Sequence, residues 1–375
     1  MARADAHAAQ RSAEPARVRS AAPTYAAVLK GARQVVGCSV KDRFGVERLD
    51  ICNAEGAVLL GWADPRVETA VAKVEAGRRL EAEAAERLGA LVPCAEAVGF
   101  RGSLNAALAD ALTAAKTVTG RDGAFFCDDE TTAAGDSDAV ADALARHVGE
   151  VAALVIRPME ASAAFLAACR RLTLRDGVVL VFDESRTLFR LHRGGAQGLH
   201  AITPDLTVMG ASIANGRPIG AVAGKVEPMR AMGATGPRAT TAALAAACAT
   251  LDRVVRDDVP EVLTVRGAEI EAEVGTRLAR TGADAWFATY GDPTWSLVAA
   301  RPRLGLDAEA LEAALAAALY AEGVLSFGAH VPSLATGPAA IARLIGAYER
   351  ALPPLAERAA RGEFSVRLRR SALAR

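Results

Sequence analysis

The sequence predicts an α/β fold, a mainly parallel sheet covered by helices on both faces, followed by a smaller C-terminal α/β domain. Three observations carry this prediction. The runs VAALVI, VVLVFD and LTVMG (151–156, 178–183 and 206–210) are apolar without polar alternation, as strands buried on both faces of a parallel sheet must be. They alternate with DAVADALARHVG and AAFLAACRRLTLRDG, whose apolar residues fall at helical spacing, and such alternation is how parallel strands are connected. An acidic pair, Asp183 and Glu184, closes the second run, at the strand end where open α/β sheets place their ligands.

Taken in order, residues 1–22 are Ala, Arg and Ser without periodicity and are expected to be a disordered arm. Residues 23–60 form an N-terminal segment expected to pack with the small domain, with a hairpin turn at Lys41-Asp42-Arg43-Phe44-Gly45. A large domain spans 61–256. It opens with amphipathic helices in PRVETAVAKVEAGRRL and EAEAAERLGALVP. SLNAALADALTAAKTVTG then reads as a helix with Ser103 as N-cap and Gly120 as stop, followed by the short strand AFFCDD. A long helix near 240–255 ends at Asp257-Asp258-Val259-Pro260. The small domain, 257–352, holds a helix through Arg280, strands near Trp286 and Trp295, a helix from Asp307 to Ala321, GVLSFG, and a last helix Ala339 to Leu352. Residues 353–375 read as a basic tail.

Composition narrows the function. With 375 residues, 51% of them hydrophobic, the chain can fill a large core. Its formal net charge of zero gives no attraction for nucleic acid or an anionic membrane. No apolar run approaches the roughly 20 residues of a membrane helix and no secretory signal is recognisable, so a cytoplasmic protein is expected. Six scattered cysteines lack metal-ligand spacing, and no metal site is predicted. Only Lys30, Lys41, Lys73, Lys116 and Lys225 supply amines.

VFDESRTLFR, GGAQG, TPDLT and the glycine turn ending in GRPIGAVAG strongly resemble the class III aminotransferases, pyridoxal phosphate (PLP) enzymes of fold type I, and glutamate-1-semialdehyde aminomutases in particular. VLKGARQVVG, LLGWADPRV, ERLGALVP and TGRDG extend the resemblance toward the N-terminus, ALAAACATLD toward the C-terminus. The resemblance implies a fold type I, PLP-transferase-like architecture and a dimer with its sites at the interface. It also implies a carboxylate on the pyridine nitrogen, keeping the ring an electron sink, and Asp183 stands at that position.

The remaining demands of such a site are met incompletely. The lysine of the internal imine would directly follow Gly210, where this sequence has Ala211. Lys225 is nearest in sequence, but it lies beyond GAVAG. The phosphate turn, Ser-Gly-Thr-Glu-Ala in the family, matches Ser103-Leu104-Asn105-Ala106-Ala107, with leucine where glycine permits close approach. The partner-subunit phosphate loop matches the altered GATGPRATTAA. The aromatic that would stack on the ring is replaced by Asp129-Glu130-Thr131, and the usual apolar residue after the acid pair is Ser185. The chain is also shortened between Asp128 and Ala139 and after Pro158.

Three functional readings stay open at this point. The first is a repurposed biosynthetic enzyme that does not perform ordinary transamination, with Asp183 or Glu184 as acid/base and Arg217 helping to bind an anionic small molecule. Arg101 and Arg157 are further arginines suited to an anion. The second is a non-catalytic partner that pairs with, or regulates, an active aminotransferase relative; a homodimer or such a heterodimer is expected. The third is a lysine-free protein holding PLP or pyridoxamine phosphate (PMP) noncovalently. Asp183, Ser103, Asn105 and Gln197 would line the vestigial cofactor pocket, and no bound cofactor is the leading expectation.

Overall fold

The computed structural model describes residues 25–74, 79–127, 135–159, 161–233, 236–326 and 328–365. The expected disordered arm, the replaced ring-stacking positions 129–131 and the last ten residues lie outside these ranges.

The chain begins with helix α1 (Tyr25–Lys30) and strands β1 (Ala32–Val36), β2 (Ser39–Asp42) and β3 (Glu47–Asp50). Helices α2 (Pro65–Ala72) and α3 (Leu80–Gly89) lead to β4 (Ala97–Arg101) and α4 (Leu104–Thr119). Next come β5 (Gly123–Cys127), α5 (Ser137–Arg146), β6 (Val151–Ile156), α6 (Ala163–Asp176) and β7 (Val179–Asp183). A short helix α7 (Gly195–His200) precedes β8 (Leu206–Met209), a 3-10 turn Ala211–Ala214, β9 (Gly220–Gly224) and α8 (Val226–Arg230). Then α9 (Thr241–Arg256) and α10 (Val259–Arg280) cross to β10 (Phe287–Asp292), β11 (Trp295–Ala300), α11 (Ala308–Ala321), β12 (Val324–Leu325), β13 (Ala329–His330) and α12 (Pro338–Ala360).

The main sheet has the order β4-β9-β8-β7-β6-β5. Strands β5 to β8 are parallel, and β9 runs antiparallel between β8 and β4. Period-two alternation sorts the side chains of the central strands into two cores. Ala153, Val155, Val179, Val181 and Val208 meet the alanine face of α4. Leu154, Ile156, Leu180 and Phe182 meet Val140, Leu144, Phe165 and Leu166 of α5 and α6. Both faces are thus dry, which is why the central strands read as unbroken apolar runs.

Helix α4 is fixed at both ends as its sequence anticipates. Ser103 accepts from Ala106 N at 3.2 Å, and Gly120 closes the helix in the left-handed conformation at φ 66°. The N-terminal strands join the small domain, because β12 pairs in parallel with β3. Buried Asp50 braces this junction, accepting from Tyr25 Oη at 2.8 Å, Trp62 Nε1 at 2.7 Å and the amides of Cys52 and Asn53. Fully buried Arg190 ties the two domains together by donating to the carbonyls of Gly56, Thr294 and Pro332.

Two sequence expectations change. The helix read through PRVETAVAKVEAGRRL ends at Ala72, capped at Lys73, and a separate helix begins at Leu80. The last helix runs on to Ala360 rather than stopping at Leu352, so the first part of the expected tail is structured. Its apolar stripe continues through Leu355 and Ala359 to Phe364, all buried in the small-domain core. Burying Leu355 and Phe364 contributes about 3–6 kcal/mol, comparable to the cost of the two interior prolines, Pro353 and Pro354, at about 3 kcal/mol each.

Candidate functional site

Register decides which residues share the carboxyl end of the sheet. Ile156 pairs with Phe182 in parallel, so one step on brings Arg157 beside Asp183, and Arg157 Nε lies 3.5 Å from Asp183 Oδ2. Asp183 pairs with Val208, so two steps on bring Gly210 beside Ser185. A Cβ built on Gly210 would stand 3.4 Å from that of Ser185 and 3.8 Å from that of Leu104. Arg157, Asp183 and Gly210 continue the alternation of Val155, Val181 and Val208, and therefore fall on the face covered by α4. Neighbouring strands stand about 4.8 Å apart, so Arg157, Asp183 and the Gly210-Ala211 step occupy an arc about 10 Å wide.

Asp183 is 5% exposed. Its Oδ1 accepts from Ser185 N at 3.0 Å, leaving the Oδ2 side to Arg157. The Arg157 side chain keeps 31% exposure while its Nε is buried without a hydrogen bond. Leu104, the first residue of α4, leans on Gly210, and the backbone oxygen of Ser103 presses on Gly220 so closely that a Cβ there would stand 2.1 Å away. Arg101 is buried on the other side of this floor, paired with Asp110 of α4 and donating to Phe100 O at 2.8 Å and Gly233 O at 3.0 Å.

Several residues expected at the site are placed elsewhere. Glu184, adjacent to Asp183, faces the opposite side of the sheet by the same alternation. It is fully buried and accepts from Ala196 N at 2.9 Å, Gln197 N at 3.1 Å, Gln197 Nε2 at 3.4 Å and the Thr187 hydroxyl. Burial pushes its carboxyl up, opposed by these four donors. Gln197 belongs to this same cluster, its Oε1 accepting from Cys94 N at 2.9 Å. Glu184 and Gln197 therefore hold α7 and the segment before β4 in place, so of the two acids only Asp183 lies on the face covered by α4. Arg217 is at the surface, donating to both carboxylate oxygens of Glu68 at 2.8 Å. The Ser103 hydroxyl is used as the helix cap, and Asn105 is exposed beside it. Ala211 begins the 3-10 turn after β8. Lys225 sits at the far end of β8, paired with Asp205 at 2.6 Å, and Lys116 lies in the last turn of α4.

The residue that the sequence analysis underweighted is Arg157. Its signal was present in the register of two adjacent parallel strands, since the first residue past VAALVI stands level with the last residue of VVLVFD. A groove of about 380 Å³ between the starts of α3 and α9, lined by Arg79, Leu80, Glu81, Ala82, Thr241 and Leu244, contains none of these residues. Among the described residues no cluster of His, Cys, Asp and Glu could hold a metal ion, and no helix is long and apolar enough to cross a membrane.

A doubly covered, mostly parallel sheet with an aspartate at the end of its central strand and a small domain built from both chain ends defines a fold type I, PLP-transferase-like protein. Comparison with known proteins gives the same class. The family profile for class-III aminotransferases matches residues 128–288. The glutamate-1-semialdehyde 2,1-aminomutase of Polynucleobacter necessarius is 32% identical over 58% of this chain and 64% of its own length. That of Thermomicrobium roseum is 29% identical over 85% of this chain and 90% of its own. The stretches matched in the first four curated relatives span 40 to 64% of those relatives' lengths. Among solved structures, an omega-transaminase from Sphaerobacter thermophilus superposes with a TM-score of 0.77 at 25% identity, covering 86% of this chain and 91% of that one. A lysine-to-alanine variant of a glutamate-1-semialdehyde aminomutase from Pseudomonas aeruginosa PAO1, in complex with PMP, superposes with a TM-score of 0.74 at 20% identity, covering 86% and 87%. Residues 128–288 thus carry the class III aminotransferase match, and the chain is similar to glutamate-1-semialdehyde aminomutases.

Proposed function

We propose that this chain is a divergent class III aminotransferase that has given up the PLP imine and uses the same strand ends as a noncovalent site for a small anionic molecule. The observation that carries the reading is the triplet Ala211, Leu104 and Arg157 around Gly210 and Asp183. Ala211 offers no amine. Leu104 packs on Gly210 at the start of the helix where the family admits a phosphate. Arg157 approaches Asp183 Oδ2 at 3.5 Å, on the carboxylate that a protonated pyridine would need. PLP, which supplies an electron sink to amine chemistry when bound, therefore does not fit these residues.

What remains is a neutral ion pair at the strand ends. The sequence motif and comparisons support ancestry in small-molecule amine metabolism, and related glutamate-1-semialdehyde aminomutases supply the chemical context. Asp183 is the one carboxylate of the expected acid/base set that stays at the site, and it serves there to orient Arg157. A dimer, as the family resemblance implies, is part of this proposal.

The test is spectroscopic. Purified protein is incubated with PLP, desalted and scanned, alongside Ala211→Lys and the combination Ala211→Lys with Leu104→Gly and Arg157→Glu. The native chain is expected to retain no visible imine band, and the triple variant to gain one before the single variant does. An imine band in the native chain would overturn the reading. A lysine-free reading, in which PMP is held without an imine, is favoured by the aminomutase variant solved in complex with PMP. Retention of PMP through desalting would establish it in place of the first.

A further inference from the structure

We propose that Arg157 anchors a site for a monocarboxylate carrying a short apolar body. The site lies beyond the carboxyl ends of β6, β7 and β8 on the face covered by α4. The proposal deepens the reading above by naming the ligand class, and it rests on the same absence of an imine.

The guanidinium is positioned from its inner side. Asp183 Oδ2 stands 3.5 Å from Arg157 Nε, which is buried, while the side chain as a whole keeps 31% exposure. The exposed part is therefore the outer end, carrying the two Nη groups, and among the described residues nothing accepts a hydrogen bond from them. A planar fork held at its base and open at its tip is suited to receive a carboxylate through two parallel N–H donors. Asp183 is itself fixed by Ser185 N at 3.0 Å, so the fork has a defined direction. Here Asp183 is a positioning residue and Arg157 the binding residue.

Charge and shape then select among anions. The pairs Arg157–Asp183 and Arg101–Asp110 are each internally neutral, so the site carries no surplus positive side chain to balance a dianion. The start of the 16-residue helix α4 lies on the same face and contributes about half a positive charge, which suits one negative charge better than two. The wall facing Arg157 across the arc is formed by Leu104, Gly210 and Ala211, mainly apolar groups, with Ser185 beside Gly210. A ligand that presents its carboxylate to Arg157 lays its other end against these groups, so an apolar tail is retained and a second charged group is rejected.

The full-length chain is titrated by calorimetry with sodium butyrate, with butyramide as the uncharged isostere and with inorganic phosphate. Native protein and the variants Arg157→Gln, Arg157→Lys and Asp183→Asn are compared, each checked for folding by circular dichroism. Butyrate is expected to bind, and butyramide at least about tenfold more weakly, as loss of a charge-assisted bond requires; phosphate is expected to bind at least about tenfold more weakly because its second charge is unbalanced. Arg157→Gln is expected to weaken butyrate by about tenfold or more, and Arg157→Lys by less because it keeps charge without the fork. Asp183→Asn is expected to weaken butyrate while sparing its preference over butyramide, as loss of positioning alone would. Equal binding of butyrate to native protein and Arg157→Gln, absence of butyrate binding, or tighter binding of phosphate or butyramide would each overturn the proposal. If Arg157→Gln fails to fold, the comparison with Arg157→Lys decides, unchanged affinity there counting against it. A PLP scan of the same samples separates the two claims, since an imine band refutes the preceding reading whatever butyrate does.

Discussion

Replacing Glu184 by alanine is expected to destabilise the large domain by about 2–4 kcal/mol, as removal of a structural acceptor should. The magnitude follows from the partners of the carboxylate. Two backbone donors, Ala196 N and Gln197 N, at 2.9 and 3.1 Å, would be left buried without an acceptor, each costing about 1–3 kcal/mol. The Thr187 hydroxyl can rotate to another acceptor, and the Gln197 Nε2 contact at 3.4 Å is long, so neither adds much. Alanine also removes the desolvation cost of the carboxylate, which offsets part of the sum. Glu184→Gln, which keeps one acceptor oxygen and introduces a competing donor, should cost about 1–2 kcal/mol. Urea unfolding followed by far-ultraviolet circular dichroism reads both variants, with an unchanged slope required for a pure stability effect. A loss within about 0.5 kcal/mol for Glu184→Ala, the range of ordinary surface substitutions, would refute the structural assignment and return Glu184 to the candidates for catalysis.

Two further outcomes follow from buried groups. Burial holds His330 down to about 4 from its usual 6.5, within hydrogen bonds to Tyr348 Oη at 2.8 Å and Ser296 Oγ at 3.2 Å. The unfolded chain takes up this proton below about pH 6.5 and the folded chain only near pH 4, so the stabilisation is complete above 6.5 and lost as pH falls through that window. The span corresponds to about 3 kcal/mol. Unfolding free energies measured across it should show a slope that His330→Gln flattens, and equal slopes would contradict the assignment. Gly220→Ala places a Cβ 2.1 Å from Ser103 O and 2.9 Å from Leu104 N, backbone atoms that cannot rotate away. It should lower stability by about 1–3 kcal/mol and, by displacing the start of α4, weaken butyrate binding. A thermal midpoint and titration matching those of the native chain would show that the floor of the site is softer than this packing implies.

The fold was legible because its signals are local and redundant. VAALVI, VVLVFD and LTVMG needed only their lack of alternation, and α4 carried both its cap and its stop in sequence. Failures came where burial elsewhere in the chain overrode a local signal. Pro353 and Pro354 argued for the end of a helix, whereas Leu355, Ala359 and Phe364 had a core waiting for them in the small domain. The candidate site was half legible. Asp183 and the absence of an amine at Ala211 could be read directly from sequence, but the identity of neighbours across strands could not. Glu184 stands next to Asp183 in sequence and on the other face of the sheet in space. Arg157 lies 26 positions before Asp183 and is beside it in space, because parallel register is set by the pairing of whole strands.

That contrast bears on whether the altered site is a remnant or a different site. Removal of the lysine alone would leave an acid at the end of β7 facing a space shaped for a ring. Here the acid meets a guanidinium in register, and that guanidinium keeps its outer donors exposed. A Cβ on the glycine after β8 would stand 3.8 Å from the Leu104 side chain, so little room is left at the floor, and α4 keeps its cap. On the proposed reading each change removes a demand of the family's cofactor, and two of them create a complementary feature: a fork for one negative charge and a mainly apolar wall opposite it. A structure merely relieved of its chemistry needs the packing but not the fork. Asp183 is buried and Arg157 only partly exposed, so their attraction mainly offsets the cost of taking the two charges out of water and adds little net stability. Its value to the molecule lies in where it holds the donors of Arg157, and the binding measurements on Arg157 and Asp183 variants therefore bear on function even if their unfolding curves superimpose on that of the native chain.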